Sequence, residues 1–323
     1  MAPLQEEPMR ILLHRVDGKT EPWIKDFARY LPEAEVVVWE KGANGRSNAA
    51  PPCDYAVVFA PPEDMLPALR EVKAIFLTGS GADGILRFGD AIPAHVPVVR
   101  LTDAGMGAQM AEYVVHAVLR YYRRFHEYEE LARAGQWAPL LPPVREDFAV
   151  GVMGAGVLGS RVLEALKPFG FPLRSWSRTA RAIDGVQCFH GADGLDTFLR
   201  GTRVAVCMLP LTDETNNILN LTNMSKMPQG SFIVNVGRGG HVSEPDLLNL
   251  MRTSHIEAAT LDVFRNEPLP MQHPFWKEPR ITITPHISAL TLRRESVQQI
   301  AGKMRQLAKG EPVADVIDRT RGY

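Results

Sequence analysis

Between an apolar run and a helical pattern the chain reads GVMGAGVLG, Gly151 to Gly159, so that Gly154, Gly156 and Gly159 form a G-x-G-x-x-G turn. Such a turn needs one glycine for a tight reversal, one for close backbone approach to a ligand, and one for contact between helix and sheet. The run Phe148 to Met153 supplies a strand before it, and Val162, Leu163 and Leu166 supply the apolar face of a helix after it. A helix N-terminus placed there offers amides to a pyrophosphate, so the motif points to dinucleotide binding, with Gly154, Ala155, Gly156, Val157, Leu158 and Gly159 as contacts.

The segments around this turn repeat its logic. Short β-rich runs precede it at Ile11 to His14, Val36 to Trp39, Tyr55 to Phe59, Ala74 to Thr78 and Val96 to Leu101. They alternate with candidate helices at Trp23 to Tyr30 and Asp64 to Val72, the pattern of a parallel sheet wound with helices. Apolar or aromatic residues from Met110 through Tyr113, Val114, Ala117, Val118 and Tyr121 fall at helical spacing. Further strands are expected at Leu173 to Trp176, Val204 to Leu209, Ser231 to Asn235, Ala258 to Val263 and Ile281 to Thr284, and a last helix at Arg293 to Lys309. At 323 residues the chain is long enough for two domains sharing a cleft. The expected division is residues 1–102 plus 287–323 against residues 103–286.

Composition narrows the function. Lys plus Arg number 36 against 37 Asp plus Glu, so no global field favours nucleic acid. The cysteines Cys53, Cys188 and Cys207 are far apart, with no C-x-x-C pair and no metal-ligand spacing, and read as packed or incidental thiols in a reducing compartment. With no H-E-x-x-H or carboxylate–histidine cluster either, no metal is implied. Glu6 and Glu7 argue against a secretory signal, and no apolar run reaches spanning length, so no membrane partner and a cytoplasmic location are expected.

Cofactor choice rests on one segment. About 20 residues after a G-x-G-x-x-G turn, an NAD site usually carries an acidic residue for the ribose diol. Here the chain reads Trp176-Ser177-Arg178-Thr179. An arginine there can pair with a 2′-phosphate, and Ser177 and Thr179 can add hydrogen bonds, so NADPH is favoured over NADH.

Three polar residues stand just after three expected strands: Arg238 in VNVGRGG, Glu267 in NEPLP and His286 in TPHIS. With these motifs the chain resembles the D-isomer-specific 2-hydroxyacid dehydrogenase family, and more closely its glyoxylate/hydroxypyruvate reductase A branch. The likeness extends to the Gly79 to Asp83 loop, the helix start Gly105 to Tyr113, LDVF at Leu261 to Phe264, and Asp318 to Tyr323.

The resemblance implies an α/β architecture of two doubly wound parallel-sheet domains, a Rossmann cofactor domain and a flavodoxin-like substrate domain. It implies Arg238, Glu267 and His286 as catalytic residues and Asp262 at the nicotinamide amide. Leu209, Pro210, Val236 and Gly237 would complete the coenzyme side. The amides of Ser80, Gly81 and Ala82, with Arg238, would take the substrate. A homodimer through the long helix is implied too.

The resemblance implies hydride transfer to a small 2-oxo acid such as glyoxylate or hydroxypyruvate, and the residue types suit that chemistry. His286 is the expected general acid, oriented by Glu267. Arg238 would hold the carboxylate and polarise the carbonyl. A dinucleotide-sensing binding protein without catalysis is the alternative on the same fold. Trp39, Trp137 and Trp276 are candidates for shaping the substrate site.

Overall fold

The computed structural model describes residues 8–40 and 51–321. Glu6 and Glu7, and the last two residues of the Asp318 to Tyr323 motif, lie outside the described residues. The chain divides into two compact units, one of Met1–Gly105 with Thr291–Tyr323 and one of Met106–Leu290.

The first unit holds strands β1 (Met9–His14), β2 (Ala34–Val38), β3 (Tyr55–Val58), β4 (Ala74–Leu77) and β5 (Val98–Val99), all parallel, in the order β2-β1-β3-β4-β5. That is the flavodoxin-like order, with its reversal between β1 and β3. β3 and β4 are buried along their whole length, which is why they read as continuous apolar runs rather than alternations.

Two expectations here were too long. The run Val96 to Leu101 yields only two strand residues, and the C-terminal segment covers this edge: Arg100 donates to the Asp315 carbonyl, and Ile317 to that of Val98. The helix expected over Asp64 to Val72 shrinks to Leu66–Leu69 after a single 3-10 turn. Helix Arg293–Ala308 returns to pack Val297, Ile300, Ala301 and Met304 into this unit, and its Arg293 pairs with Asp26 of helix Glu21–Tyr30.

The second unit carries β6 (Val150–Met153), β7 (Leu173–Ser177), β8 (Val186–His190), β9 (Val204–Cys207), β10 (Ser231–Asn235), β11 (Ile256–Leu261) and β12 (Ile281–Ile283). All are parallel, in the order β12-β11-β10-β9-β6-β7-β8. This is the Rossmann order, and the strand sequence reverses at β6 and β9, beside the Gly154 turn. β8 was not foreseen. It is an edge strand with no fully buried residue, so neither an apolar run nor clean alternation marks it.

Alternation does sort the second core. Val150 and Val152 of β6 face a cluster with Met110, Val114, Ala117, Val118 and Tyr121 of helix Met106–Tyr122, while Met153 faces the opposite cluster around Phe198 and Leu199. Among the described residues no helix is long and apolar enough to cross a membrane.

Candidate active site

The second unit's functional loops leave the carboxyl ends of its strands. At the Gly154–Gly159 turn each glycine meets a different constraint. Gly154 has φ +105°, and a Cβ there would lie 2.9 Å from the Met208 carbonyl oxygen. A Cβ on Gly159 would fall 1.9 Å from the Gly154 oxygen, so the first turn of helix Val157–Leu166 fits only without one. At Gly156 nothing lies within 4 Å of the added Cβ, and both Gly156 and Val157 are exposed. The open space there, beside a helix N-terminus, fits a pyrophosphate.

Ala155 is buried, and Leu158 and Pro210 are partly so. Trp176, next to last in β7, is a core residue whose indole N–H donates to the Gly191 carbonyl at 2.9 Å. Ser177 donates to the Thr179 carbonyl at 2.9 Å, and Arg178, Thr179 and Arg181 stand on the surface.

Arg238, Glu267 and His286 follow β10, β11 and β12, three adjacent strands. His286 Nδ1 lies 2.8 Å from Glu267 Oε2, and Glu267 Oε1 accepts the Phe264 N–H at 2.9 Å, so the carboxylate is fixed at both oxygens. Both side chains remain accessible, His286 at 44% and Glu267 at 36%, which leaves the imidazole free to exchange a proton with a ligand. A carboxylate only accepts, so Nδ1 carries the hydrogen of that bond and Nε2 is the nitrogen left for other partners.

His286 adopts a left-handed backbone (φ +55°), a strained choice for a non-glycine residue. Asp262 holds it there. The Asp262 carbonyl accepts the His286 N–H, Oδ1 accepts Ile287 N–H and Oδ2 accepts Ser288 N–H, each at 2.8 Å. Thr284 Oγ1 donates to Oδ1 at 2.6 Å and stands 2.5 Å from the Tyr113 hydroxyl, so Tyr113 donates to Thr284. Burial pushes the Tyr113 phenol up to about 12. Asp262, expected at the nicotinamide amide, is itself fully buried, and its work inside this unit is to organise the Thr284–Ser288 loop.

The Arg238 and Glu267 loops touch through backbone. A Cβ on Gly239 would sit 1.9 Å from the Phe264 carbonyl carbon and 2.3 Å from the Arg265 nitrogen. Arg265 Nη2 donates to the Gly240 carbonyl at 2.9 Å and to the Asn217 side chain. Arg238 Nη1 donates to the Gly237 carbonyl at 2.8 Å, and Asn235 spans the same turn by donating to the Arg238 carbonyl and accepting from Gly237. Leu209, Val236 and Gly237 are buried beside it. Arg265 and Tyr113 thus have parts that their sequence surroundings did not announce, and so does His241, three residues after Arg238, whose Nδ1 accepts the Arg238 N–H at 3.0 Å.

In the first unit, the loop after β4 places Ser80 and Gly81 half-buried and Ala82 buried, and the preceding Thr78 carbonyl accepts Thr291 Oγ1 at 2.7 Å. Of the tryptophans, Trp39 packs edge-on to His14, Trp137 is fully exposed, and Trp276 donates to the Pro270 carbonyl at the end of the NEPLP loop. Among the described residues no group of three or more His, Cys, Asp or Glu is placed to hold a metal ion.

A Rossmann sheet with an open glycine turn at its switch point, and an acid–imidazole pair two strands along from a buried-loop arginine, defines an NAD(P)-dependent oxidoreductase. Residues 115–288 match the family model for the NAD binding domain of D-isomer specific 2-hydroxyacid dehydrogenases. The chain belongs to that family.

The glyoxylate/hydroxypyruvate reductase A of Klebsiella pneumoniae (strain 342) is 43% identical over 319 residues, covering 98% of this chain and 100% of that protein. The crystal structure of a family member from Xanthobacter autotrophicus Py2 with NADPH and MES is 34% identical, with TM-score 0.92 over 98% of this chain and 100% of that one. An NADPH-dependent glyoxylate/hydroxypyruvate reductase from Sinorhizobium meliloti, solved with NADP and sulfate, is 31% identical with TM-score 0.88 over 98% and 100%.

Proposed function

We propose that this protein uses NADPH to reduce a small 2-oxo acid, glyoxylate or hydroxypyruvate, to the 2-hydroxy acid, as the D isomer where a stereocentre forms. The observation that carries the reading is the His286–Glu267 pair at 2.8 Å, accessible and fixed, on the strand ends that also carry Arg238. Names and bound coenzymes of the relatives agree with it.

Gly156 and the helix N-terminus at Val157 would take the pyrophosphate, and the Ser177–Arg178–Thr179 turn the 2′-phosphate. When bound, the coenzyme supplies a hydride to the carbonyl carbon of the 2-oxo acid. Arg238 holds the substrate carboxylate and polarises the carbonyl, offsetting the negative charge that grows on its oxygen. His286 gives that oxygen a proton from Nε2, while Glu267 keeps Nδ1–H directed and steadies the charged ring. Ser80, Gly81 and Ala82 are proposed as substrate-facing amides. Asp262 enters through the loop it braces, which presents His286.

The test is NADPH oxidation, followed at the nicotinamide absorbance, with a panel of 2-oxo acids, and chiral analysis of the product. Turnover of glyoxylate or hydroxypyruvate to the D product where one is formed supports the reading. Tight NADPH binding with no turnover of any 2-oxo acid would instead make the protein a dinucleotide sensor.

A further inference from the structure

His241 is fully buried, and its ring bridges two of the loops described above. Nδ1 lies 3.0 Å from the Arg238 backbone nitrogen, and Nε2 lies 3.3 Å from the Pro210 carbonyl oxygen. A backbone N–H can only donate, so Nδ1 is the bare acceptor and Nε2 carries the hydrogen that Pro210 accepts. Both bonds are therefore satisfied by one neutral tautomer and by no other state of the ring. The surroundings favour that state: burial depresses the imidazole pKa, and the nearby Arg238 and Arg265 guanidiniums push in the same direction.

The ring also has no slack. A Cβ on Gly237 would be 3.0 Å from its Cε1 and 3.1 Å from the Leu209 oxygen, so the imidazole fills the space between the Gly237 backbone and the end of β9. The backbone closes the turn from the other side, with His241 N–H donating to the Arg238 carbonyl at 3.2 Å and its own carbonyl accepting Leu219 N–H at 2.9 Å.

We propose that His241 is a positioning residue, whose neutral imidazole locks the Arg238 backbone to Pro210 in the loop after β9 and thereby sets where the guanidinium meets the substrate carboxylate. Packing alone would need the ring's shape but not both of its nitrogens. The proposal rests on Arg238 being the carboxylate-binding residue, so its test includes that residue.

Glutamine is the informative replacement. Its amide offers an oxygen acceptor and an N–H donor in the same order as Nδ1 and Nε2, and a glutamine at the third position of a turn can reach back to the N-cap amide. His241→Leu removes both bonds. Steady-state kinetics on wild type, H241L, H241Q, R238K and the double variant H241L/R238K would be normalised to active sites by coenzyme titration. H241L should raise KM for the 2-oxo acid and lower kcat, with kcat/KM down about tenfold or more, while H241Q stays within about threefold of wild type. The double variant should lose less than the product of the single losses, because both changes act on one guanidinium.

An H241L enzyme that melts earlier but keeps the wild-type KM overturns the proposal, as does H241Q failing as badly as H241L. If R238K raises KM and H241L does not, only the role of His241 falls. If neither changes KM, the Arg238 assignment falls with it. Should H241L not fold, 15N imidazole resonances of the wild type decide: a bare Nδ1 and protonated Nε2 at neutral pH support the proposal, and a ring protonated at Nδ1 overturns it.

Discussion

Gly156 and Gly159 stand three residues apart in one turn, yet alanine should do opposite things at the two positions. Gly156 has φ −77° and ψ −162°, allowed for any residue, and its Cβ would meet nothing within 4 Å. Gly156→Ala should leave the free protein as stable as before, or firmer by about 0.4 to 1 kcal/mol through the unfolded state. The methyl would occupy the open face where a pyrophosphate has to approach. Losing one charge-assisted hydrogen bond of about 1.5 to 3 kcal/mol corresponds to roughly 10- to 150-fold in coenzyme affinity. Gly159→Ala puts its methyl 1.9 Å from the Gly154 oxygen, where backbone rather than a flexible side chain must yield. Overpacking of about 1 to 3 kcal/mol or more follows, and at about 2 to 4 °C per kcal/mol for a unit of this size the melting temperature should drop by roughly 2 to 12 °C. Thermal melts without coenzyme and fluorescence titration with NADPH separate the two effects. A Gly156→Ala protein that binds NADPH like wild type would refute the reasoning, and so would one that is destabilised as much as Gly159→Ala.

Three other outcomes follow from particular contacts. His286→Gln should bind NADPH normally but lose about 100-fold or more in kcat, the scale of general acid catalysis; near-normal turnover would remove His286 from that role. The double variant R178A/R181A should lower the ratio of kcat/KM with NADPH to that with NADH by roughly 10- to 150-fold, and an unchanged ratio would place the 2′-phosphate elsewhere. His126 lies in the core against the edges of Tyr121 and Phe232, and burial lowers its pKa from 6.5. Below pH 6.5 the unfolded chain takes up a proton that the native ring resists, so stability is full above that value and declines as pH falls, by at most about 1.4 kcal/mol per pH unit for this ring. Urea unfolding of wild type and His126→Phe between neutral pH and pH 5.5 should show a shallower decline in the variant; equal declines would show that His126 carries none of it.

What could be read from the sequence was whatever depends on backbone rules confined to a few neighbouring residues. The Gly154–Gly159 turn is of this kind, because each glycine answers a local constraint, and so is the apolar stripe of helix Met106–Tyr122. Edges were harder. β8 is only half-buried, and β5 keeps two residues at an edge whose backbone partner, the Asp315–Ile317 segment, lies over 200 positions away in the chain. Residues acting on backbone amides were harder still. The bonds of Asp262 to the amides of Ile287 and Ser288 join segments 25 and 26 residues apart, beyond the reach of any local pattern.

Backbone contact also joins the loops at the ends of β10 and β11. Side-chain bonds from Arg265 reach the Gly240 carbonyl, but beneath them the Gly239 backbone lies directly on the Phe264–Arg265 peptide. Glu267 hangs from that second loop by its bond to the Phe264 N–H, and Arg238 precedes Gly239 in the first. The root of the arginine and the carboxylate that orients His286 are therefore set against each other by main chain, with no flexible side chain between them. A methyl at Gly239 cannot be relieved by turning a rotamer, since the nearest atom is a carbonyl carbon at 1.9 Å. Relief has to come from separating the two loops, which moves the Arg238 guanidinium and the His286–Glu267 pair apart. The absence of a side chain at Gly239 is for that reason a condition of how the Arg238 and Glu267 loops lie against each other.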